Sequence, residues 1–74
     1  MDAILYTRVG CHLCDEAKEV LIRHGLTVGE VDIDKDPQLV EQFGLCVPVV
    51  EIDGQIRFRG RVEERLLKRL IRRR

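Results

Sequence analysis

Strand and helix patterns alternate along this chain in an order that leaves few ways to fold it. An apolar run at Ala3–Thr7 predicts a buried strand, and apolar residues recur at helical spacing from His12 to His24. After Gly25, which favours the end of a helix, the β-branched residues of Leu26–Ile33 predict a second strand. Two strands joined by one helix form a parallel βαβ unit, and such a crossover is right-handed. The first half of the chain is therefore predicted to have an α/β fold.

The second half adds a short helix, a β-hairpin and a last helix. These elements are a helix through Phe43 that begins at Asp36-Pro37, strands at Val47–Ile52 and Gln55–Arg59, and an amphipathic helix from Arg61. Asp53-Gly54 joins the two strands and suits a type I′ turn, since both central residues of that turn need positive φ. Ile56 and Phe58 are expected to face the core together, and Gly29 is a candidate for a bulge. The order β-α-β-α-β-β-α predicts a four-stranded mixed sheet with helices on both faces, with residues 1–74 as a single domain.

The composition is that of one small globular domain rather than a membrane or secreted protein. The 74 residues are 45% hydrophobic and 35% charged, and no stretch approaches the roughly 20 apolar residues of a membrane span. The N-terminus, Met1-Asp2-Ala3, has neither the basic region nor the apolar run of a secretory signal. Three cysteines are an odd number, which argues against a secreted disulfide framework. We therefore expect a cytoplasmic monomer that does not enter a membrane.

Charge is divided unevenly along the chain. Residues 1–54 hold four basic and eleven acidic side chains, whereas residues 55–74 hold nine basic and two acidic ones. A basic segment can bind nucleic acid, but no aromatic stacking residues are interleaved here and no DNA-binding motif is present. We interpret the segment as the solvent-facing side of the last helix, whose arginines complement the negative end of the helix dipole. A non-catalytic adaptor that binds an acidic partner through Arg57–Arg74 is an alternative function.

Two cysteines, Cys11 and Cys14, lie where the first predicted strand gives way to the first helix, and their spacing is typical of a redox pair. In a first helical turn, two intervening residues bring the sulfurs close enough for a disulfide. Cys11 would lie at the helix N-terminus, where unpaired N–H groups and the helix dipole stabilise a thiolate. Cys14 lies one turn further, on the apolar face. We therefore predict that Cys11 attacks a disulfide and that Cys14 is the shielded resolving thiol.

A metal site is the competing interpretation of this pair. Zinc usually takes four ligands, and a C-x-x-C pair normally has a second pair elsewhere. The other candidate ligands here are Cys46, His12 and His24, which do not supply a second pair. We therefore predict no metal site, and a metal or iron–sulfur carrier that uses Cys11 as a ligand is the second alternative function.

The segment Leu5–Ala17, with its Cys11-His12-Leu13-Cys14 motif, resembles the active-site region of small bacterial glutaredoxin-like proteins of the thioredoxin superfamily. Val31-Asp32-Ile33-Asp34 and Val47-Pro48-Val49 fit as well, and the resemblance extends over essentially the whole chain. It implies a thioredoxin/glutaredoxin-like fold and a dithiol-disulfide oxidoreductase that reduces protein or low-molecular-weight disulfides. It also implies that no cofactor is tightly bound and that glutathione or a reductase donates the electrons.

The resemblance further implies where a substrate binds. In the resembled fold, a proline in the position of Pro48 follows a cis peptide bond, faces the cysteine pair and leaves the backbone of Val47 free to pair with a disulfide substrate. A basic residue in the position of Arg8 contacts a glutathione carboxylate in glutaredoxins. Gly60 retains one residue of the Gly-Gly pair found there, while Arg59 replaces the other. Glutathione is therefore expected to bind more weakly than in glutaredoxins that keep both glycines.

The sequence leaves two alternative roles open for each of three side chains near the predicted site. Arg8 is either the anchor for a glutathione carboxylate or a solvated loop side chain. His12 follows Cys11 and either stabilises its thiolate when protonated or faces solvent. Cys46, two residues before Pro48, is either a small apolar residue at the rim of the site or a third reactive thiol.

Overall fold

The computed structural model describes residues 1–72, which form four strands, three α-helices and one short 3₁₀ turn. In chain order they are β1 (Asp2–Thr7), α1 (His12–Arg23), β2 (Thr27–Asp32), the 3₁₀ turn (Ile33–Lys35), α2 (Pro37–Phe43), β3 (Val49–Ile52), β4 (Gln55–Arg59) and α3 (Glu64–Arg72). This order confirms the predicted β-α-β-α-β-β-α arrangement. α1 and α2 begin at the residues that the sequence predicted. α1 begins at His12, and α2 begins at Pro37 with Asp36 as its N-cap.

The four strands form one mixed sheet in the order β2-β1-β3-β4. β1 pairs parallel with β2 and antiparallel with β3, which in turn pairs antiparallel with β4. In this register Tyr6, near the end of β1, lies opposite Val49, the first residue of β3. The chain that leaves β1 and the chain that enters β3 therefore meet at the same edge of the sheet.

The two faces of the sheet bury different amounts of apolar surface. The face under α1 and α3 carries a cluster of ten buried residues, here called the larger core: Ala3, Leu5, Ala17, Leu21, Leu26, Val50, Ile52, Phe58, Val62 and Leu67. The face under α2 carries three, here called the smaller core: Ile33, Phe43 and Val49. The smaller core is completed by half-buried side chains that pack against it, among them Tyr6 and Cys46.

Two strands are shorter than their apolar runs predicted. β2 ends at Asp32, because the Asp32 carboxylate accepts the Asp34 N–H at 3.0 Å and starts the 3₁₀ turn, in which Ile33 is buried. β3 begins at Val49 rather than Val47, because the chain reaches the sheet only after the Val47–Pro48 peptide bond. Proline has no N–H for a strand ladder, so its place just before the strand agrees with its chemistry.

The bulge lies in the hairpin and not at Gly29, so the prediction for Gly29 was wrong. Gly29 pairs with Ile4 in an unbroken parallel register. Between β3 and β4 the register shifts, because Val50 lies opposite Phe58 while Glu51 lies opposite Ile56, so that Arg57 is an extra residue. An extra residue reverses the alternation of side chains, and Phe58 therefore joins the larger core while Ile56 packs against the smaller one.

α3 begins three residues later than its apolar pattern predicted. The pattern included Val62, which is buried but precedes the helix, and the first helical residue is Glu64. Leu67 is fully buried against the larger core, whereas the Arg65 and Arg69 side chains are exposed, as expected for a solvent-facing basic side. The final two arginines of the predicted basic segment lie outside the described residues. Within residues 1–72, no helix has both the length and the apolar character that a bilayer crossing requires.

Candidate active site

Cys11 is the N-cap residue of α1. Its backbone is extended, with φ −89° and ψ 106°, and its Sγ atom accepts a hydrogen bond from the Cys14 N–H at 3.1 Å. The first N–H groups of a helix have no partner within the helix, so the sulfur takes the place of a capping oxygen. The same N–H group and the positive end of the helix dipole favour negative charge on this sulfur when it is reduced.

The two cysteines form a disulfide, and their surroundings differ. Their Cα atoms are 5.2 Å apart, within the usual range for a disulfide. Cys11 is half-buried, while Cys14 is 2% exposed and lies on the same side of α1 as Ala17 and Leu21. An incoming sulfur can therefore reach Cys11, whereas Cys14 is accessible mainly through the bond to Cys11.

The segment before β3 faces the same edge of the sheet as the chain that leads to Cys11. The Val47–Pro48 peptide bond is cis, as the resemblance implied, and Pro48 is buried. The Pro48 carbonyl accepts the Gly60 N–H at 2.7 Å. In the described part of the chain, the N–H and carbonyl of Val47 take part in no hydrogen bond with the backbone. They can therefore bond to another chain.

Arg8 is engaged within the protein in a way that neither interpretation of the sequence included. Its Nη2 lies 2.7 Å from Asp34 Oδ1, its Nε donates to Oδ2 at 3.2 Å, and its Nη1 donates to the Gly44 carbonyl at 3.3 Å. The hydrogen bond to Asp34 raises the pKa of Arg8 further above its usual range. Arg8 thus connects the loop before Cys11 with the 3₁₀ turn and with the C-terminal end of α2, whose last carbonyls lack partners within the helix.

Gly60 and Arg59 mark the other side of the predicted substrate site. Gly60 has φ +80°, a conformation that favours glycine. The Arg59 guanidinium lies 5.8 Å from the centroid of the Phe43 ring, and the centroids of Phe43 and Tyr6 are 4.8 Å apart. Where the resembled glutaredoxins have a second glycine, this chain therefore has an arginine that covers an aromatic ring of the smaller core.

His12 follows Cys11 in the sequence, and Cys46 lies two residues before Pro48. Among residues 1–72, neither side chain forms a hydrogen bond with the disulfide. His12 is exposed, and no hydrogen bond of its side chain occurs among residues 1–72. Cys46 is a half-buried free thiol whose backbone N–H donates to the Phe43 carbonyl at 2.8 Å. Nowhere in residues 1–72 do three or more His, Cys, Asp or Glu side chains cluster as a metal site would require.

His24 lies at the opposite end of α1, where it is the C-cap residue. Its Nε2 lies 2.7 Å from Glu64 Oε1, and Arg23 Nη2 lies 3.4 Å from the same oxygen. The hydrogen bond from His24 is the main cause that lowers the pKa of Glu64. His24 therefore links α1 to the start of α3, in addition to the position at the helix end that the sequence indicated.

The sequence model of the glutaredoxin-like domain family (DUF836) matches residues 2–72 of this chain. The chain belongs to this family. A curated relative, the glutaredoxin-like protein YDR286C homolog of Dictyostelium discoideum, is 38% identical over 69 residues. That alignment covers 80% of this chain and 64% of the relative, so the chain spans less than two thirds of the relative's length.

Solved structures of similar proteins show that this chain has the thioredoxin/glutaredoxin-like fold. The structural genomics target protein XcR50 from X. campestris has a TM-score of 0.83 and 30% identity, with 97% of both chains covered. The glutaredoxin-like protein NrdH-redoxin from Escherichia coli has a TM-score of 0.72 and 22% identity, with 95% of both chains covered. These likenesses confirm the predicted four-stranded mixed sheet with flanking helices, and they agree with a redox-type thioredoxin fold that carries the Cys11–Cys14 pair.

Proposed function

We propose that this protein is a dithiol-disulfide oxidoreductase that reduces disulfides through Cys11 and Cys14. One observation carries the proposal: Cys11 caps α1 with its sulfur, accepts the Cys14 N–H and is more accessible than its buried disulfide partner. A reactive cysteine needs stabilisation of its thiolate together with access, and this position supplies both. Membership of the glutaredoxin-like domain family supports the same chemistry.

The reaction proceeds in two exchange steps from the reduced protein. The Cys11 thiolate attacks one sulfur of the substrate disulfide, forms a mixed disulfide and releases the other substrate sulfur, which takes up a proton. Cys14 then loses its proton and attacks the Cys11 sulfur, which forms the Cys11–Cys14 disulfide and releases the second substrate thiol. Two electrons pass from the cysteine pair to the substrate, and the protein is left oxidised. The Cys11–Cys14 disulfide is then reduced back to two thiols by a reductase or by two glutathione molecules, which become glutathione disulfide.

The backbone beside the disulfide is proposed to hold the substrate. The free N–H and carbonyl of Val47 pair with an extended substrate segment. The hydrogen bond from the Gly60 N–H to the Pro48 carbonyl holds the backbone beside Val47 in place, and Pro48 and Gly60 are proposed to line the same substrate site. His12 lies next to the nucleophile in sequence and is proposed to contact the substrate there. Arg8 acts as a positioning residue, because its contacts with Asp34 and Gly44 hold the chain just before Val47.

The proposed setting follows from this chemistry. A pair that reduces disulfides has to be reduced again by a thiol donor, so we place the protein in the cytoplasm, where thiols are kept reduced. No organic cofactor is required, because the exchange uses the two cysteine sulfurs alone. We expect a monomer whose substrates are protein or low-molecular-weight disulfides.

Separate cysteine variants test the assignment. Cys11→Ser is expected to abolish thiol–disulfide exchange, and Cys14→Ser to accumulate a mixed disulfide with the substrate, detectable by mass spectrometry under non-reducing conditions. Cys46→Ser is the matched control and should retain the activity of the original protein. Alkylation of the reduced protein should modify Cys11 faster than Cys14. The assignment fails if Cys14 is modified first, or if Cys11→Ser keeps its activity while Cys46→Ser loses it.

A further inference from the structure

One exposed side of α3 carries only positive charge. The four basic residues of this helix follow one another at intervals of three and four positions, which places them on one side of it: Arg65, Lys68, Arg69 and Arg72. All four are exposed, and together they line a shallow depression of about 210 Å³. We call these four residues the cationic face.

The cationic face is not neutralised within the described part of the chain. None of its four side chains forms an ion pair among residues 1–72. The acidic residue of α3, Glu64, instead lies 2.7 Å from His24 and 3.4 Å from Arg23. Like charges three and four positions apart on a helix repel each other, so the cationic face weakens the helix that carries it. A local cost without an internal benefit is typical of a functional surface.

The helix dipole accounts for only part of this arrangement. Arg69 and Arg72 lie in the last turn of α3, where the negative end of the dipole stabilises positive charge, as the sequence indicated. Arg65 is the second residue of the helix, where the dipole disfavours positive charge, and Lys68 lies in the middle. The stability of α3 itself therefore does not explain Arg65 and Lys68.

The cationic face begins at a place remote from the disulfide. Glu64, the first residue of α3, contacts His24 at the C-terminal end of α1, whereas Cys11 caps the N-terminal end of α1. A helix of 12 residues is about 18 Å long. A partner that is held at the start of α3 therefore does not need to touch Cys11.

The rest of the molecule favours a protein as the partner of the cationic face. Leu67 is fully buried, and Leu70 and Ile71 pack against the larger core, so the apolar side of α3 is not free to enter a bilayer as an interfacial helix does. Single-stranded nucleic acid is bound largely by stacking on aromatic rings, and all three aromatic side chains of this chain are buried or half-buried. Carboxylates of a protein need neither an apolar side nor a stacking ring.

We propose that the cationic face binds an acidic segment of another protein in which four carboxylate residues follow one another. From Arg65 to Arg72 the helix rises about 10 Å, and four consecutive residues of an extended chain span about the same length. A contiguous acidic run can therefore reach all four cations, whereas the same charges spread over a longer segment cannot. This binding surface goes beyond the proposed oxidoreductase chemistry and does not depend on it.

Equilibrium binding of two labelled peptides tests the proposal. One peptide has four consecutive glutamates between flanks of glycine and serine, and the other has the same composition with its glutamates spread evenly along the chain. Fluorescence anisotropy at low salt gives the dissociation constant of each peptide with the full chain. The contiguous peptide is expected to bind about fivefold more tightly, because two additional exposed ion pairs correspond to about this factor. Its binding should weaken as the salt concentration rises.

Paired variants locate the binding surface. Arg65→Gln together with Arg69→Gln should weaken binding of the contiguous peptide about fivefold. Lys35→Gln together with Arg57→Gln is the matched control, because it also removes two exposed positive charges that form no ion pair among residues 1–72. The control should change the dissociation constant by less than about a factor of two. Thermal unfolding of each variant checks that the fold is retained.

The proposal is overturned if the two peptides bind equally, or if the control weakens binding as much as the variant of the cationic face. It is also overturned if a DNA duplex, or vesicles of phosphatidylserine and phosphatidylcholine, bind to the cationic face more tightly than the contiguous peptide. Oligomers of the original protein that dissociate on Arg65→Gln with Arg69→Gln would overturn it too, since a second copy would then occupy this face. Cys11→Ser should bind the contiguous peptide like the original protein, so failure of the proposed function would leave this result unchanged.

Discussion

The two faces of the sheet hold the two sides of the candidate site by different means. The larger core buries ten apolar residues, among them Ala17 and Leu21 of α1, the helix that begins at Cys11. The smaller core buries three, and the loop that leads to Val47 is held in addition by Arg8, through its contacts with Asp34 and Gly44. The difference indicates that the nucleophile is held by apolar packing, whereas the segment that would contact a substrate depends on a polar connection.

The small size of the domain makes this difference consequential. Proteins are stable by about 0.05–0.15 kcal/mol per residue, which corresponds to roughly 4–11 kcal/mol for a chain of this length. One large core substitution therefore removes a large part of the total, while the loss of an exposed ion pair removes little. Substitutions on the two faces should accordingly separate effects on folding from effects on the substrate segment.

The largest effect is expected in the larger core. Leu67→Ala removes a fully buried side chain from α3 and should lower the free energy of unfolding by about 2–5 kcal/mol, measured by chemical denaturation. Leu66→Ala is the matched control on the same helix, because Leu66 is 44% exposed, and it should change stability far less. Equal losses at both positions would show that the burial of Leu67 in the larger core is not what stabilises α3.

A smaller and more local effect is expected from Arg8 and its partner. If the contacts of Arg8 position the loop, then Arg8→Ala and Asp34→Asn should act alike and increase amide hydrogen exchange at Gly44 and Cys46, whose N–H groups are hydrogen-bonded in the structure, with little change in overall stability.

The same pair of variants separates positioning from glutathione binding. An arginine that anchors a glutathione carboxylate would be released by Asp34→Asn, which would strengthen glutathione binding, whereas Arg8→Ala would weaken it. Opposite changes in the apparent KM for glutathione would therefore refute the positioning role. We expect the two variants to change this KM in the same direction.

The smallest effect is expected at Glu64, the polar contact on the side of the larger core. The hydrogen bond from His24 lowers the pKa of Glu64 in the folded protein. Its stabilising contribution is therefore present above the ordinary glutamate pKa and is lost as pH falls through the lowered value. Glu64→Gln should reduce stability slightly at neutral pH, and the difference from the original protein should shrink below about pH 4.

Glu63→Gln provides the control for this pH dependence, because Glu63 is exposed and forms no ion pair in the part of the chain that the structure describes. Its stability should follow that of the original protein at every pH. A constant difference between Glu64→Gln and the original protein from neutral to acidic pH would show that the contact with His24 is not what stabilises this position.

Local signals in the sequence were sufficient for most of the fold. Period 3.6 and period 2 patterns, together with Asp36-Pro37 and Asp53-Gly54, predicted the four strands and three α-helices of the described residues in the correct order, but not the 3₁₀ turn. At Asp53 and Gly54 the φ angles are +52° and +79°, as the predicted turn requires. The exact ends were less predictable, because an apolar pattern does not distinguish a residue in a strand from a buried neighbour such as Ile33 or Val62.

The sequence by itself determined that two cysteines stand at the start of a helix, because the capping position of Cys11 and the apolar position of Cys14 depend only on neighbouring residues. Only the tertiary structure decided what surrounds them. Arg8 and Asp34 are 26 positions apart, and they meet because parallel pairing of β1 and β2 ends both strands at one edge of the sheet. Such contacts depend on strand order and on the direction of each side chain, and no local pattern in the sequence records either.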